Sequence, residues 1–258
     1  CEATGGYEKL LVAHLRAADI PVAVVVPKRV RDFARSKGIL AKTDKIDARV
    51  LTLFGTQNQP EPTPPLAEEI VQLQEALIRR EELIDIRKQE QNRLEGCPSS
   101  ITSAMIKKHI RFIDNQLKLL EKEMDRLLRD HQELKKKTEQ LTAVKAVGRQ
   151  TALHLIAFVP ELGRVSGNEA AALVGVAPFN CDSGTMKGRR MIQGGRSRVR
   201  RVLYMAAVCA SQRNPILRDV YQRMINQGKP AKVALVAIMR KIVVLANRIF
   251  SEPDFKPA

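Results

Sequence analysis

The sequence has no tryptophan, and aromatic residues make up only 4% of its 258 residues. This scarcity argues against a protein that binds single-stranded nucleic acid by stacking bases on aromatic side chains. The sequence also has no apolar run long enough to span a bilayer. The apolar run over 233–239 lies between Lys232 and Arg240, which predicts a core helix. We therefore expect no membrane partner.

Cysteine and histidine are also scarce. Four of each are scattered along the chain with no C-x-x-C or other metal-ligand spacing, which argues against a zinc site. The pattern predicts free thiols in a reducing cytoplasm, and no signal-peptide pattern is visible. The chain begins with Cys1 rather than methionine, so we expect it to be a fragment of a longer protein.

Positive charge is abundant. The formal net charge is +16 and the isoelectric point is about 10.0. The segment 141–258 holds 19 Lys and Arg residues against 6 Asp and Glu residues, so most of the excess lies in the last part of the chain. This distribution predicts a polyanionic partner, and nucleic acid first of all.

The first part of the sequence predicts an α/β layer. A β-branched run over 20–27 is bounded by Pro21 and Pro27, which indicates a buried strand of a parallel sheet. Helical patterns precede and follow this strand, over 7–18, 28–36 and from Asp44 to about Leu53.

Two long amphipathic helices are predicted after a proline-rich linker at 60–65. The first covers 66–94. The second carries a heptad repeat, interrupted only by His131, which we interpret as a tolerated polar core residue. We expect the two helices to form an antiparallel coiled-coil hairpin and a homo-oligomer contact. The heptad positions are Ile106, Ile110, Ile113, Leu117, Leu120, Met124, Leu127 and Leu134.

The segment 141–157 resembles a helix-hairpin-helix with a tight turn at Gly148. In that motif, backbone N–H groups at the turn bind a DNA phosphate without reading the base sequence, and Lys145 and Arg149 would add charge here. An αα-corner without DNA contact explains the same pattern equally well. Further helices are predicted over 168–176, 200–212 and 230–249.

A basic loop over 177–201 carries the strongest local charge signal. Arginine suits bidentate phosphate contacts, and the glycines at 184, 188, 194 and 195 would let the backbone approach a ligand closely. Ser183 lies at the head of this stretch, where Asp-Ser-Gly by itself favours an ordinary turn. The seven cations of the loop are Lys187, Arg189, Arg190, Arg196, Arg198, Arg200 and Arg201.

Asp44 and Asp47 lie three residues apart and therefore share one face of a helix. Their spacing favours a solvated pair at a helix N-terminus, where the macrodipole stabilises negative charge. A metal-binding pair for phosphodiester chemistry is the alternative. Glu2 is unremarkable when taken alone.

Three motifs taken together favour the functional interpretation of these residues. They are E-A-T-G-G-Y-E at the start, K-T-D-x-x-D-A from Lys42, and P-F-x-x-D-S-G-x-x-x-G-R-R-x-I-x-G-G-R-x-x-V-R-R-x-L-Y-M-A-A from Pro178. In combination the sequence resembles the DEDD insertion-sequence transposases of the IS110 family, in its IS1111-like subgroup, which is related to pilin-gene invertases. The resemblance extends over nearly the whole chain.

The resemblance implies three domains. These would be a RuvC-like (RNase H fold) α/β part at 1–62, a coiled-coil hairpin at 63–140, and a mostly helical transposase domain at 141–258. Glu2, Asp44 and Asp47 match the second, third and fourth acidic residues of the DEDD set, and Ser183 matches the catalytic serine. The first aspartate of the set has no counterpart, and its strand is expected upstream of Cys1. Catalytic competence of this chain is therefore in question.

The resemblance also implies a chemistry. The acidic residues would hold Mg²⁺, a cation that prefers oxygen ligands. Ser183 would attack the DNA phosphodiester to give a covalent phosphoserine–DNA intermediate. The family further implies oligomers and, in relatives, a guide (bridge) RNA. Two alternatives remain: a metal-dependent nuclease resembling Holliday-junction resolvases, in which Ser183 is only a turn residue, and an inactive DNA-binding remnant of a transposase.

Overall fold

α-Helices make up most of the chain in the computed structural model, which describes residues 1–97, 99–180, 182–184, 188, 190–252 and 255. The chain divides into two units, Cys1–Leu66 and Ala67–Ala258. Among the described residues, no helix is long and apolar enough to cross a membrane. Cys1, Cys97 and Cys209 are free thiols, and Cys181 lies outside the described residues.

The first unit contains three helices, α1 (Glu8–Ala17), α2 (Pro27–Ser36) and α3 (Asp44–Asn58). Two of them, α2 and α3, share a small apolar core. Helices α2 and α3 pack together, and the rings of Phe33 and Phe54 meet edge to face with centroids 5.4 Å apart. Val25, Val30 and Val50 are buried in the same core.

The strand predicted over 20–27 is wrong in extent. Within the described residues of this segment, Val25 alone has strand pairing, a parallel bridge to Glu2. The segment makes backbone hydrogen bonds to two other parts of the first unit. Val25 N–H donates to Cys1 O (2.9 Å), and Thr63 N–H donates to Val22 O (2.9 Å). The apolar run is thus extended and partly buried as its sequence predicts, but its backbone partners cover too few residues to form a regular strand.

The second unit consists of eight helices and a two-stranded sheet within its described residues. The helices are α4 (Glu68–Glu95), α5 (Ser100–Asp130), α6 (Gln132–Thr142), α7 (Arg149–Phe158), α8 (Gly167–Val174), α9 (Ser197–Arg213), α10 (Pro215–Asn226) and α11 (Ala231–Ser251). Strands β1 (Pro178–Phe179) and β2 (Met191–Ile192) pair antiparallel. Helix α7 is almost entirely buried and contacts α4, α6 and α9, so it lies at the centre of this unit.

Helices α4 and α5 pack side by side and run antiparallel. Two ion pairs require this direction, because the partner number falls as the residue number rises: Arg80 Nε lies 2.6 Å from Glu121 Oε1, and Arg87 Nη1 lies 3.1 Å from Asp114 Oδ1. The predicted hairpin is therefore present, while its coiled-coil packing stays a prediction.

The predicted heptad helix is interrupted at His131. Helix α5 ends at Asp130, and His131 has extended backbone angles, so the last heptad residue, Leu134, lies on α6 instead. The change of direction lets α6 pack on α7 and α11. Leu134 and Leu141 are buried there, and their burial favours the break.

Candidate catalytic and DNA-binding sites

The two aspartates of the K-T-D-x-x-D motif occupy the first turn of α3. Thr43 is the N-cap, and its hydroxyl oxygen accepts a hydrogen bond from Ile46 N–H (3.3 Å). This cap fixes the start of the helix, where the macrodipole favours carboxylates. Asp44 is exposed, whereas Asp47 is half-buried.

Glu2 and Asp47 line the same cavity in the first unit, although 45 positions separate them. The cavity has a volume of about 350 Å³. Asp44 lies one helical turn before Asp47 and is not part of the lining. The structure thus brings two of the three predicted acidic ligands together, and the third is on the same helix.

The donor atoms suit a hard cation, because Mg²⁺ prefers carboxylate oxygens. Among the described residues, however, no group of three or more His, Cys, Asp or Glu side chains is close enough together to hold a metal ion. Glu2 and Asp47 thus share a cavity, but the described residues do not assemble a set of metal ligands, and the metal site stays a prediction.

Glu8, the last residue of the E-A-T-G-G-Y-E motif, holds the turn that follows Glu2 along the chain. Its Oε2 accepts hydrogen bonds from Thr4 N–H (2.9 Å), Thr4 Oγ1 (3.0 Å) and Gly6 N–H (2.9 Å). Burial raises the pKa of Glu8, but these hydrogen bonds outweigh it, so the pKa lies below its ordinary value. Gly5 and Gly6 have positive φ angles, and Glu8 therefore closes a tight turn directly after Glu2.

Ser183 lies in the connection between β1 and β2 and is exposed to solvent. Next to it, Asp182 Oδ1 accepts a hydrogen bond from Gly188 N–H (3.1 Å), which draws the two sides of the loop together. Gly184 has φ +55°, a conformation that a turn after Ser183 can adopt at low cost only with glycine. Lys187 and Arg189, predicted to bind DNA, lie outside the described residues.

The glycines at the end of the loop make a contact that differs from the predicted one. A Cβ atom on Gly195 would overlap the backbone of Gly175, and one on Gly175 would overlap Gly194 O. Gly195 therefore allows the loop to approach the C-terminal end of α8, a part of the protein itself, rather than a ligand. Arg200 Nη1 donates to Gly194 O (2.6 Å) and completes this attachment.

Two of the predicted DNA-binding arginines form ion pairs inside the second unit. Arg196 makes two hydrogen bonds to Glu161, at 2.8 and 2.5 Å. Burial raises the pKa of Glu161, but the hydrogen bonds and charge of Arg196 outweigh it and lower the pKa. Arg198 donates to Glu81, and its guanidinium lies 5.4 Å from the centroid of the Phe158 ring.

The remaining described cations of the loop point to solvent. Arg190 and Arg201 are exposed, and neither has a hydrogen bond or ion pair with another described residue. The loop therefore has anchoring arginines at its C-terminal base and free arginines that a phosphate could reach.

Glu81 also binds a buried histidine. His154 Nε2 lies 2.9 Å from Glu81 Oε1, and His154 Nδ1 lies 2.7 Å from Gln150 O. Glu81, His154 and Arg198 belong to α4, α7 and α9, so one carboxylate connects the hairpin, the central helix and the helix that follows the basic loop. We call these three residues the Glu81 cluster. The cluster could not be predicted from the sequence, because its members are far apart along the chain and each alone resembles an ordinary helix residue.

The segment 141–157, predicted as a helix-hairpin-helix, contains the last two residues of α6, a turn and most of α7, and the two helices pack together. The turn lies at Ala146, which has φ +83°, and Gly148 is the N-cap of α7 rather than the turn residue. Lys145 is exposed, whereas Arg149 lies 2.5 Å from Asp125 on α5. The first helix, α6, lies almost entirely before the predicted segment, and both the helix-hairpin-helix and its DNA contact stay predictions.

Comparison with known proteins identifies the family of this chain. A DEDD transposase model of the IS110 type, described as a transposase, matches residues 1–101, and a second model, the transposase IS116/IS110/IS902 family, matches residues 138–222. The chain is also similar to pilin gene-inverting proteins of Moraxella lacunata and Moraxella bovis. With each it shares 27% identity over 255 residues, which cover 97% of this chain and 79% of the relative. The chain therefore belongs to the IS110 family of insertion-sequence transposases, which are DNA-processing enzymes.

Proposed function

We propose that this chain is a transposase that cuts and rejoins DNA strands, with Ser183 as the nucleophile and with Glu2, Asp44 and Asp47 as ligands of a divalent cation such as Mg²⁺. The observation that carries the proposal is the shared cavity of Glu2 and Asp47. Two carboxylates from separate segments face one solvent-accessible space, which a simple helix N-terminal pair would not require.

The first unit is proposed to have the RuvC-like fold that the sequence predicts. The parallel bridge between Glu2 and Val25, with α2 and α3 following along the chain, supports an α/β arrangement. In such a fold the carboxylates would lie at a sheet edge and on a helix, and here Glu2 is in the bridge to Val25 while Asp47 is on α3. When bound, the cation would neutralise negative charge on the phosphoryl oxygens of the substrate.

Ser183 is proposed to attack phosphorus through its Oγ atom. The P–Oγ bond forms as the bond from phosphorus to one bridging oxygen breaks, the hydroxyl proton is released to solvent, and the displaced oxygen takes up a proton to become a free hydroxyl of the cut strand. The product is a phosphoserine linkage, which conserves the phosphodiester energy for rejoining. The exposure of Ser183 supports this role, and so does the anchoring of its loop, because a nucleophile must be held in a defined position.

The free cations are proposed to bind DNA phosphates around this serine. Arg190 and Arg201 are exposed for such contacts, and Lys145 is exposed at the helix-hairpin-helix turn. Lys187 and Arg189 are proposed for the same role on their sequence alone. Arg149, Arg196, Arg198 and Arg200 would act indirectly, because their partners hold the loop and the helices around it.

The hairpin is proposed to form a coiled coil with a second copy of the chain. A row of exposed apolar residues on α5 supports this, because all three of its spacings are four or seven residues, as along one face of a heptad helix. The row is Ile101, Met105, Phe112 and Leu119. Use of a guide RNA is proposed from the family resemblance, and the net charge of +16 suits RNA as well as DNA.

A covalent trapping experiment tests the proposed chemistry. We expect the full chain, incubated with Mg²⁺ and DNA carrying element ends, to form a protein–DNA adduct that survives denaturation. Ser183→Ala should abolish the adduct. Ser197→Ala is the matched control, because Ser197 is also exposed and begins the helix after the loop. Normal DNA cleavage by Ser183→Ala would instead favour the metal-dependent nuclease.

A further inference from the structure

The cavity that holds Glu2 and Asp47 is also rich in cations that no part of the proposed chemistry uses. Four basic side chains and three carboxylates line it. The formal charges of the lining residues sum to a small positive excess, although Glu2 and Asp47 are among them. The basic lining residues are Lys28, Arg31, Arg35 and Lys42.

Two of these cations have partners within the first unit. Arg31 donates to the carbonyls of Leu40 (2.6 Å) and Ala41 (3.3 Å), and this positions the segment directly before Lys42. Arg35 lies 3.6 Å from Asp32 on the same helix, where an exposed ion pair is weak. Arg31 therefore shapes the cavity wall instead of binding a ligand.

Lys28 and Lys42 differ from these arginines. Both are exposed, and neither has a hydrogen bond or ion pair to any residue that the structure describes. Lys28 is at the start of α2, and Lys42 lies just before the Thr43 cap of α3. Two lysines from different segments thus flank the carboxylate pair, each with free N–H donors.

We propose that Lys28 and Lys42 bind a phosphodiester group of the DNA substrate at the mouth of this cavity. The inference rests on the proposed function. A lysine ammonium is a compact charge that suits phosphate oxygens. Two of the proposed carboxylate ligands, Glu2 and Asp47, line the cavity, and Mg²⁺ is often held by one or two carboxylates together with substrate phosphates. DNA is favoured over RNA because the cavity contains the carboxylates assigned to strand cleavage.

Lysine acetylation measured by mass spectrometry tests this site directly. The full chain is treated with a water-soluble acetylating reagent, alone or with saturating DNA of element-end sequence, without divalent cations so that no cleavage occurs. We expect DNA to slow acetylation of Lys28 and Lys42 several-fold. Lys45 is the matched control, because it is exposed on the same helix turn as Asp44 and Asp47 but does not line the cavity.

A second measurement uses variants. We expect Lys28→Gln and Lys42→Gln each to lower the slope of log affinity against log salt by about one, the value for one phosphate contact, while Lys45→Gln leaves it unchanged. Lys42→Arg should restore the slope, since it restores the charge.

The outcomes separate this inference from the proposed function. Protection of Lys28 and Lys42 by DNA supports the inference, even if Ser183→Ala still forms the covalent adduct and the nucleophile assignment fails. Equal acetylation of Lys28, Lys42 and Lys45 with and without DNA overturns it, even if Ser183 forms the adduct. Protection by a structured RNA and not by DNA also overturns it.

Discussion

Replacing Glu81 by glutamine should destabilise the second unit substantially. Glu81 accepts hydrogen bonds from Arg198 and His154, and the side chains of Glu81 and His154 are only 17% and 3% exposed. The glutamine has the same shape but removes the charge, and it leaves Arg198 without its counter-ion. Hydrogen bonds to charged groups contribute about 1.5–3 kcal/mol each. Because the Arg198 side chain is 33% exposed, solvent screens part of the loss, and we expect a decrease of about 2 kcal/mol in the free energy of unfolding.

Thermal unfolding followed by circular dichroism at 222 nm measures this effect. For a unit of this size, a loss of about 2 kcal/mol should lower Tm by about 4–8 °C. Glu82→Gln is the matched control, because Glu82 is the next residue and, among the described residues, pairs with Arg79 alone, on the same helix, with both side chains more than half exposed. Its loss should cost less than about 0.5 kcal/mol. Equal Tm values for the two variants would refute a structural role of the Glu81 cluster.

Two further predictions concern the base of the Ser183 loop. Gly195→Ala should lower the free energy of unfolding, measured by urea titration, by more than about 2 kcal/mol, because the new Cβ atom overlaps Gly175 and the φ angle is positive. Gly184→Ala is the control. Its Cβ atom would meet open space, so only the strain of the positive φ angle, about 1 kcal/mol, should be lost. Arg196→Gln should destabilise the protein more at pH 7 than at pH 3. The folded-state pKa of Glu161 is lowered, so the stabilisation from this pair is present above the ordinary value of 4.5 and is lost as the pH falls through the folded-state pKa. Urea midpoints that fall equally at both pH values would contradict this.

The helices could largely be predicted from the sequence, because each depends on periodicity within one segment. The two long helices of the hairpin and their antiparallel direction follow from their apolar faces and short connection. The break at His131 could not be predicted in this way. It depends on the burial of Leu134 and Leu141 on α6, which packs on α7 and on α11, and α11 is distant in sequence.

The candidate sites show the same division. The motifs alone identify Glu2, Asp47 and Ser183 as candidates, and the structure adds that the first two share a cavity. Local charge does not separate phosphate ligands from structural arginines, however. The partner of Arg198 lies 117 residues away at Glu81, so its sequence neighbourhood gives no sign of the ion pair.

The most direct test of the account is to identify the residue that becomes attached to DNA. The trapped adduct would be digested with protease and nuclease, and the peptide that carries a residual nucleotide would be sequenced by mass spectrometry. The account predicts one modified peptide with the nucleotide phosphate on the Oγ atom of Ser183. A nucleotide on any other side chain, or efficient cleavage without a modified peptide, would contradict it.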